Sequence, residues 1–186
     1  MGCGTALPSL YIFRRLLERD TPTPVVLTLA DYNASVLQLV TLPNLFLTWV
    51  LTTQPYLPAE GDIDTTPALV EKFIEDTIAR GVHLRFCSGG WGREMVGLLG
   101  EGAYDLVLAS ETVYQPETIP WFVDTMCSVL KEGGKALVAA KRLYFGVGGG
   151  VEEFLRSLEA QAGWRSVIVA QAGDEGVGRL VLEVKR

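Results

Sequence analysis

Five short stretches carry residues whose types and spacing could do chemistry. "GCG" at Gly2–Gly4 is a Gly-x-Gly turn ahead of a helical pattern that starts near Pro8. Glycines there let backbone amides approach a ligand, and the helix offers its positive end to an anion or carboxylate. Alternatively the turn only starts a helix. "ADYN" places Asp31 at the end of an apolar run. A carboxylate in that place accepts both hydrogen bonds of a ribose diol, or it caps a helix, as Asn33 also could. "SETVY" sets Glu111 three residues before Tyr114, where a substrate would meet the ligand. A surface carboxylate and a packed phenol are the plainer reading. "KRLYFGVGGG" puts Tyr144, Phe145, Gly146 and Gly148 in one aromatic and glycine-rich loop. That loop is either a flexible surface segment or a backbone-lined surface for a ligand or peptide. A fifth stretch, "SGGWG", offers Gly89 and Gly90 as space for a flat ring and Trp91 as its cover, or a turn with Trp91 in the core.

Other chemistries do not fit. The dinucleotide fingerprint needs a small residue where Leu7 stands, and no Gly-Lys-Ser/Thr ending marks a phosphate loop. The one histidine, His83, lies near the start of a strand and reads as structural. With it alone, and with Cys3, Cys87 and Cys127 scattered, neither a zinc site nor a Ser-His-Asp triad is expected. The net charge of −6 argues against direct nucleic-acid binding. Few cysteines and no signal-peptide pattern point to a reducing, intracellular compartment. The run Leu37–Leu51 is apolar but interrupted, and reads as too short and too polar to span a bilayer.

The elements that must hold these residues alternate in period. Strands are expected at 24–31, 82–88, 104–110, 135–141, 164–170 and 178–185. Helical patterns cover 33–51, bent near Pro43, then 68–80, 91–99, 116–130 and 151–162, with a loop at 54–67. On the helix at 68–80, Leu69, Val70, Phe73, Ile74 and Ile78 share a face. Gly133 and Gly134 end the helix at 116–130, and the turn at 172–178 closes an antiparallel hairpin. This is one α/β domain over residues 1–186, a doubly wound Rossmann-like sheet, mostly parallel, with ligands beyond the carboxyl ends of its strands. Such a sheet needs a strand before Gly2, and no residues precede it but Met1.

"ADYN…VTLPN", "FCSGGW", "YDLVLASETVY" and "YFGVGGG" resemble, in order and spacing, the histidine protein methyltransferase family, seven-strand enzymes that use S-adenosylmethionine. The family is known for methylating a histidine in a large-subunit ribosomal protein. The resemblance implies that Gly2 and Gly4 lie beside the amino-acid part of the cofactor. It implies Asp31 on the ribose, Tyr32 by the adenine, Gly89, Gly90 and Trp91 along the adenine side, and Ser110 near the cofactor centre. Glu111 and Tyr114 match an acidic-x-x-Tyr motif shared with related lysine methyltransferases and would act at the target side chain. Tyr144, Phe145, Gly146 and Gly148 would recognise the target. No metal, nucleic-acid or membrane partner is implied, and a cytoplasmic or nuclear location is. The family has a hydrophobic strand and a further segment ahead of Gly2, so the chain is expected to be an N-terminally shortened form. Two other readings stand beside this one: a lysine-directed enzyme of the same superfamily, and an inactive shortened domain that binds a partner.

Overall fold

The computed structural model describes residues 1–54, 61–173 and 178–186. These fall into two compact units, Cys3–Phe86 and Met1–Gly2 with Cys87–Arg186. In the first unit, helix α1 (Leu7–Leu17) follows Ala6 in a left-handed conformation and carries a proline in its first turn. Proline suits that place because the first amides of a helix have no partner to donate to. Phe13, Leu16 and Leu17 fall on one face and are buried. Strand β1 (Val25–Asp31) is hydrogen-bonded to β2 (Val82–Ser88) as a two-stranded sheet.

The helix expected over 33–51 is broken in a specific way. It consists of α2 (Ala34–Val36), a π-helical stretch Leu37–Thr41 and α3 (Leu42–Thr53). Pro43 sits in the first turn of α3. It has no N–H for the carbonyl one turn back, and its ring crowds that carbonyl. The wider π turn ahead of it takes up the displacement. The whole helical run, Ala34–Thr53, has 20 residues and holds an 18-residue stretch at a mean hydropathy of 1.6. By length and composition it is long and apolar enough to cross a membrane, so the length argument made from the sequence does not hold. Leu45, Trp49 and Val50 of α3 are instead packed in the unit's core. There Trp49 meets Phe46 and Phe73 with ring centroids 5.6 and 5.5 Å apart.

Helix α4 (Pro67–Ala79) buries Phe73, while Ile74 and Ile78 of the expected apolar face stay half exposed. With Leu42 and Leu47 of α3 they line an apolar groove of about 820 Å³. His83 is exposed on β2 and reaches the same groove. Part of the expected loop at 54–67 lies outside the described residues.

The second unit holds a four-stranded sheet in the order β3-β4-β6-β5. Its strands are β3 (Tyr104–Ser110), β4 (Leu130–Lys141), β5 (Arg165–Ala172) and β6 (Arg179–Lys185). β3 and β4 are parallel; β4 with β6 and β5 with β6 are antiparallel. The hairpin expected at the C-terminus is therefore present, though most of its turn lies outside the described residues. Helices α5 (Arg93–Leu99), α6 (Ile119–Val129) and α7 (Val151–Glu159) complete the unit. Phe122 of α6 and Phe154 of α7 are fully buried, their rings 6.3 Å apart.

Two expectations are corrected here. Helix α6 begins later than 116 and stops at Val129, and Gly133 and Gly134 do not end it. They lie inside β4, whose register against β3 jumps from Tyr104↔Leu130 to Leu106↔Lys135. A Cβ on Gly134 would stand 2.9 Å from the carbonyl oxygen of Tyr104, so this bulge requires glycine. β3 has one pairing partner, β4, among the described strands, and β1 has one, β2.

Candidate active site

In the first unit the site residues are tied together through the N-terminal loop. Gly4 adopts φ +49°. Its N–H donates to Asp31 Oδ2 at 3.0 Å, and the Asn33 N–H donates to Oδ1 at 3.1 Å. Cys3 N–H donates to the Ala30 carbonyl at 3.1 Å. The Thr41 hydroxyl, fully buried at the π turn, donates to the Gly4 carbonyl at 2.7 Å. Burial pushes the Cys3 thiol above its ordinary range. Both readings of Asp31 meet here. Each oxygen fixes one backbone amide and still has a lone pair for a diol. Asn33 stands at the N-cap of α2 but makes no side-chain cap. Tyr32, next in sequence, is two-thirds exposed.

In the second unit a separate cluster stands at the end of β3. Ser110 pairs with Ala139 of β4, and the Glu111 N–H continues that ladder to the Ala139 carbonyl at 2.9 Å. Glu111 then turns with φ +56°, a left-handed conformation rare outside glycine. Such conformations cluster at functional sites, where the surroundings over-determine them. The turn leaves Thr112 and Val113 buried and Tyr114 partly exposed. The rings of Tyr114 and Tyr144 lie 6.2 Å apart. The Tyr144 oxygen accepts the Lys141 N–H at 3.3 Å, and the Lys141 ammonium lies 5.4 Å from the Tyr144 ring centre. Burial, with the Glu111 carboxylate beside it, pushes the Tyr144 phenol up to about 12, so it remains a proton donor at neutral pH. Arg179 Nε stands 3.7 Å from Glu111 Oε1.

In the glycine-rich loop the backbone folds back on itself. Tyr144 N–H donates to the Gly149 carbonyl at 3.0 Å, and Gly148 N–H donates back to Tyr144 at 3.1 Å. Gly149 and Gly150 are buried. A Cβ on Gly149 would run into the Tyr114 carbonyl, with the Tyr114 Cα at 2.9 Å. The glycines press this loop against the backbone that carries Glu111 and Tyr114. Gly149→Ala should therefore destabilise the protein by about 1–3 kcal/mol, since overpacking against backbone leaves no side chain to yield. Gly146→Ala, which meets open space and carries only the φ +78° penalty, should cost about 1 kcal/mol. Urea unfolding of the two variants checks the order; equal losses would mean the contact with Tyr114 does not matter.

The remaining expected residues are placed as follows. Gly2 has φ +61°, and a Cβ there would stand 2.8 Å from the Thr112 side chain. Gly89 has φ +145°, near Met95, and Gly90 is exposed. Trp91 packs edge-on against Phe122 at 6.0 Å, so part of its ring serves the core. Phe145 is three-quarters exposed on the loop with Gly146 and Gly148. The structure thus brings Gly4 to Asp31 in one unit, and Glu111, Tyr114 and Tyr144 together in the other. Arg179 and Thr41 were missed. Arg179 is legible only from the β4–β6 register, which sets it opposite Lys141.

No family model matches this sequence. Curated relatives do. Histidine protein methyltransferase 1 of Saccharomyces cerevisiae is 39% identical over 176 residues, covering 83% of this chain and 47% of the relative. Its namesake in Schizosaccharomyces pombe is 38% identical over 165 residues, covering 86% and 48%. The Rattus norvegicus homolog is 32% identical over 159 residues, covering 83% and 41%. The chain spans about half the length of the curated relatives it matches. Among solved structures, a SAM-dependent methyltransferase from Methanosarcina mazei superposes with a TM-score of 0.53 at 10% identity, over 99% of this chain and 89% of that one. LepI in complex with SAM gives 0.52 at 10% identity, over all of this chain and 42% of that one. The fold is α/β and Rossmann-like, of the methyltransferase type.

Proposed function

On the premise that this chain is a relative of the histidine protein methyltransferases, we propose that it uses S-adenosylmethionine to methylate a histidine of a protein, most specifically one of the large ribosomal subunit. The cofactor, when bound, supplies an electrophilic methyl group. Asp31 fits it: the carboxylate is nine-tenths buried, aimed by two backbone amides, and keeps acceptor capacity for ribose hydroxyls. Methyl transfer requires a neutral nucleophile with its lone pair held in line. Glu111 accepts the N–H of the target imidazole and so turns the other, unprotonated nitrogen toward the methyl group. Tyr114 and Tyr144 wall the ring, and the Tyr144 phenol donates without adding charge.

The observation that carries this reading is Glu111, a non-glycine residue held at φ +56° beside Tyr144, whose ring faces Tyr114, in a chain whose relatives are named histidine protein methyltransferases. A ribosomal target is supported by the family resemblance and by the chain's net charge of −6, which complements a basic protein. Such a target places the protein in the cytoplasm or nucleus. The test is incubation of the purified protein with tritiated S-adenosylmethionine and ribosomal proteins stripped of RNA. Label should enter a large-subunit protein and appear after hydrolysis as methylhistidine. Label confined to small-subunit proteins would remove the target, and label in methyllysine alone would replace the reading with the lysine-directed one.

A further inference from the structure

We propose that Arg179, together with Lys141, selects the target side chain at this site, admitting neutral imidazole and turning away a lysine ammonium. The inference rests on the methyltransferase reading above and assigns a specificity role to residues outside the acidic-x-x-Tyr motif.

An acidic residue three before a tyrosine suits either target, since a bare carboxylate attracts an ammonium as readily as it accepts an imidazole N–H. What decides between them is the net charge around that carboxylate. Glu111 Oε1 faces Arg179 Nε at 3.7 Å. Tyr144, which neighbours both Glu111 and Arg179, carries the Lys141 ammonium 5.4 Å from its ring centre. The β4–β6 register fixes this arrangement, because Lys141 and Arg179 are direct cross-strand partners. The Arg142 guanidinium, next to Lys141 in sequence, donates to the Gln171 amide oxygen at 3.3 Å. The Glu111 carboxylate therefore faces one cation, Arg179, and a second, Lys141, lies against the ring of its neighbour Tyr144.

A carboxylate so compensated retains lone pairs for a neutral donor but no surplus negative field for a cation. Free lysine has a pKa of about 10.4 and arrives charged, whereas free histidine, at about 6.5, arrives mostly neutral. Two resident cations penalise the first and leave the second unaffected. They also oppose protonation of the imidazole, which would remove the nucleophilic lone pair. Arg179 is a positioning and selecting residue here; it touches Glu111 and not the reacting atoms.

The test compares the wild-type protein with Arg179→Gln and Arg179→Lys, using RNA-free large-subunit ribosomal proteins and labelled S-adenosylmethionine. Methylhistidine and methyllysine are quantified in hydrolysates, and S-adenosylhomocysteine affinity confirms that each variant is folded. Arg179→Gln is expected to raise the methyllysine-to-methylhistidine ratio about tenfold, with cofactor affinity unchanged, and Arg179→Lys to restore the wild-type ratio. A lower total rate with an unchanged ratio would overturn the inference, reducing Arg179 to a structural contact. A wild-type protein that makes methyllysine and no methylhistidine, or neither, would overturn the proposed function and this inference with it.

Discussion

Glu111→Gln should lower turnover about a hundredfold while shifting S-adenosylhomocysteine affinity less than twofold. Glutamine keeps the length and shape of the side chain, and its backbone N–H still reaches the Ala139 carbonyl. What it loses is the charge that pairs with Arg179 and the second acceptor oxygen. An amide can present its NH₂ group to the imidazole and so favour the wrong ring tautomer. General base or tautomer-holding groups typically contribute a factor of about 10² or more. Single-turnover methylation and calorimetry separate the two effects. Equal losses in turnover and cofactor affinity would make Glu111 a support of the pocket and not a participant in the transfer.

Asp31→Ala should weaken S-adenosylhomocysteine by about 1–3 kcal/mol, roughly five- to 150-fold, because a charged acceptor to hydroxyl groups is removed from a buried place. Two further losses accompany it: the Gly4 and Asn33 amides lose their acceptor. Asp31→Asn distinguishes the contributions. It keeps one acceptor oxygen but not the charge, so it should retain thermal stability better than Asp31→Ala while still binding the cofactor weakly. Isothermal titration of both variants, with unfolding curves alongside, is the check. Unchanged affinity in Asp31→Ala would take the residue out of the cofactor site and leave it as a loop fastener.

The strands were the most legible part of the fold, for a physical reason. "VHLRFCS" alternates Val82, Leu84 and Phe86 with His83 and Arg85, "YDLVLAS" holds the apolar run Leu106–Ala109, and both form strands with the expected limits. The start of β4 was not legible, because Gly133 and Gly134 carry the pattern of a helix stop while serving a bulge. The same ambiguity hid the π turn: Pro43 announces a disturbance in the helix but not which kind. Asp31 and Glu111 are each legible as a carboxylate at the end of an expected strand. The left-handed turn at Glu111 and the pressing of Gly149 on Tyr114 are long-range backbone facts with no local signature. Arg179 depends on strand register across two antiparallel partners, which composition does not encode.

The central claim is transfer to a histidine nitrogen, and one measurement addresses it directly. The protein is incubated with large-subunit ribosomal proteins and S-adenosylmethionine carrying a deuterated methyl group, and the products are mapped by peptide fragmentation. The account predicts a deuteromethyl group on an imidazole nitrogen of a single histidine, formed about a hundredfold more slowly when Glu111→Gln replaces the wild type. A deuteromethyl group found only on lysine, or no transfer by a protein that binds S-adenosylhomocysteine, would contradict it.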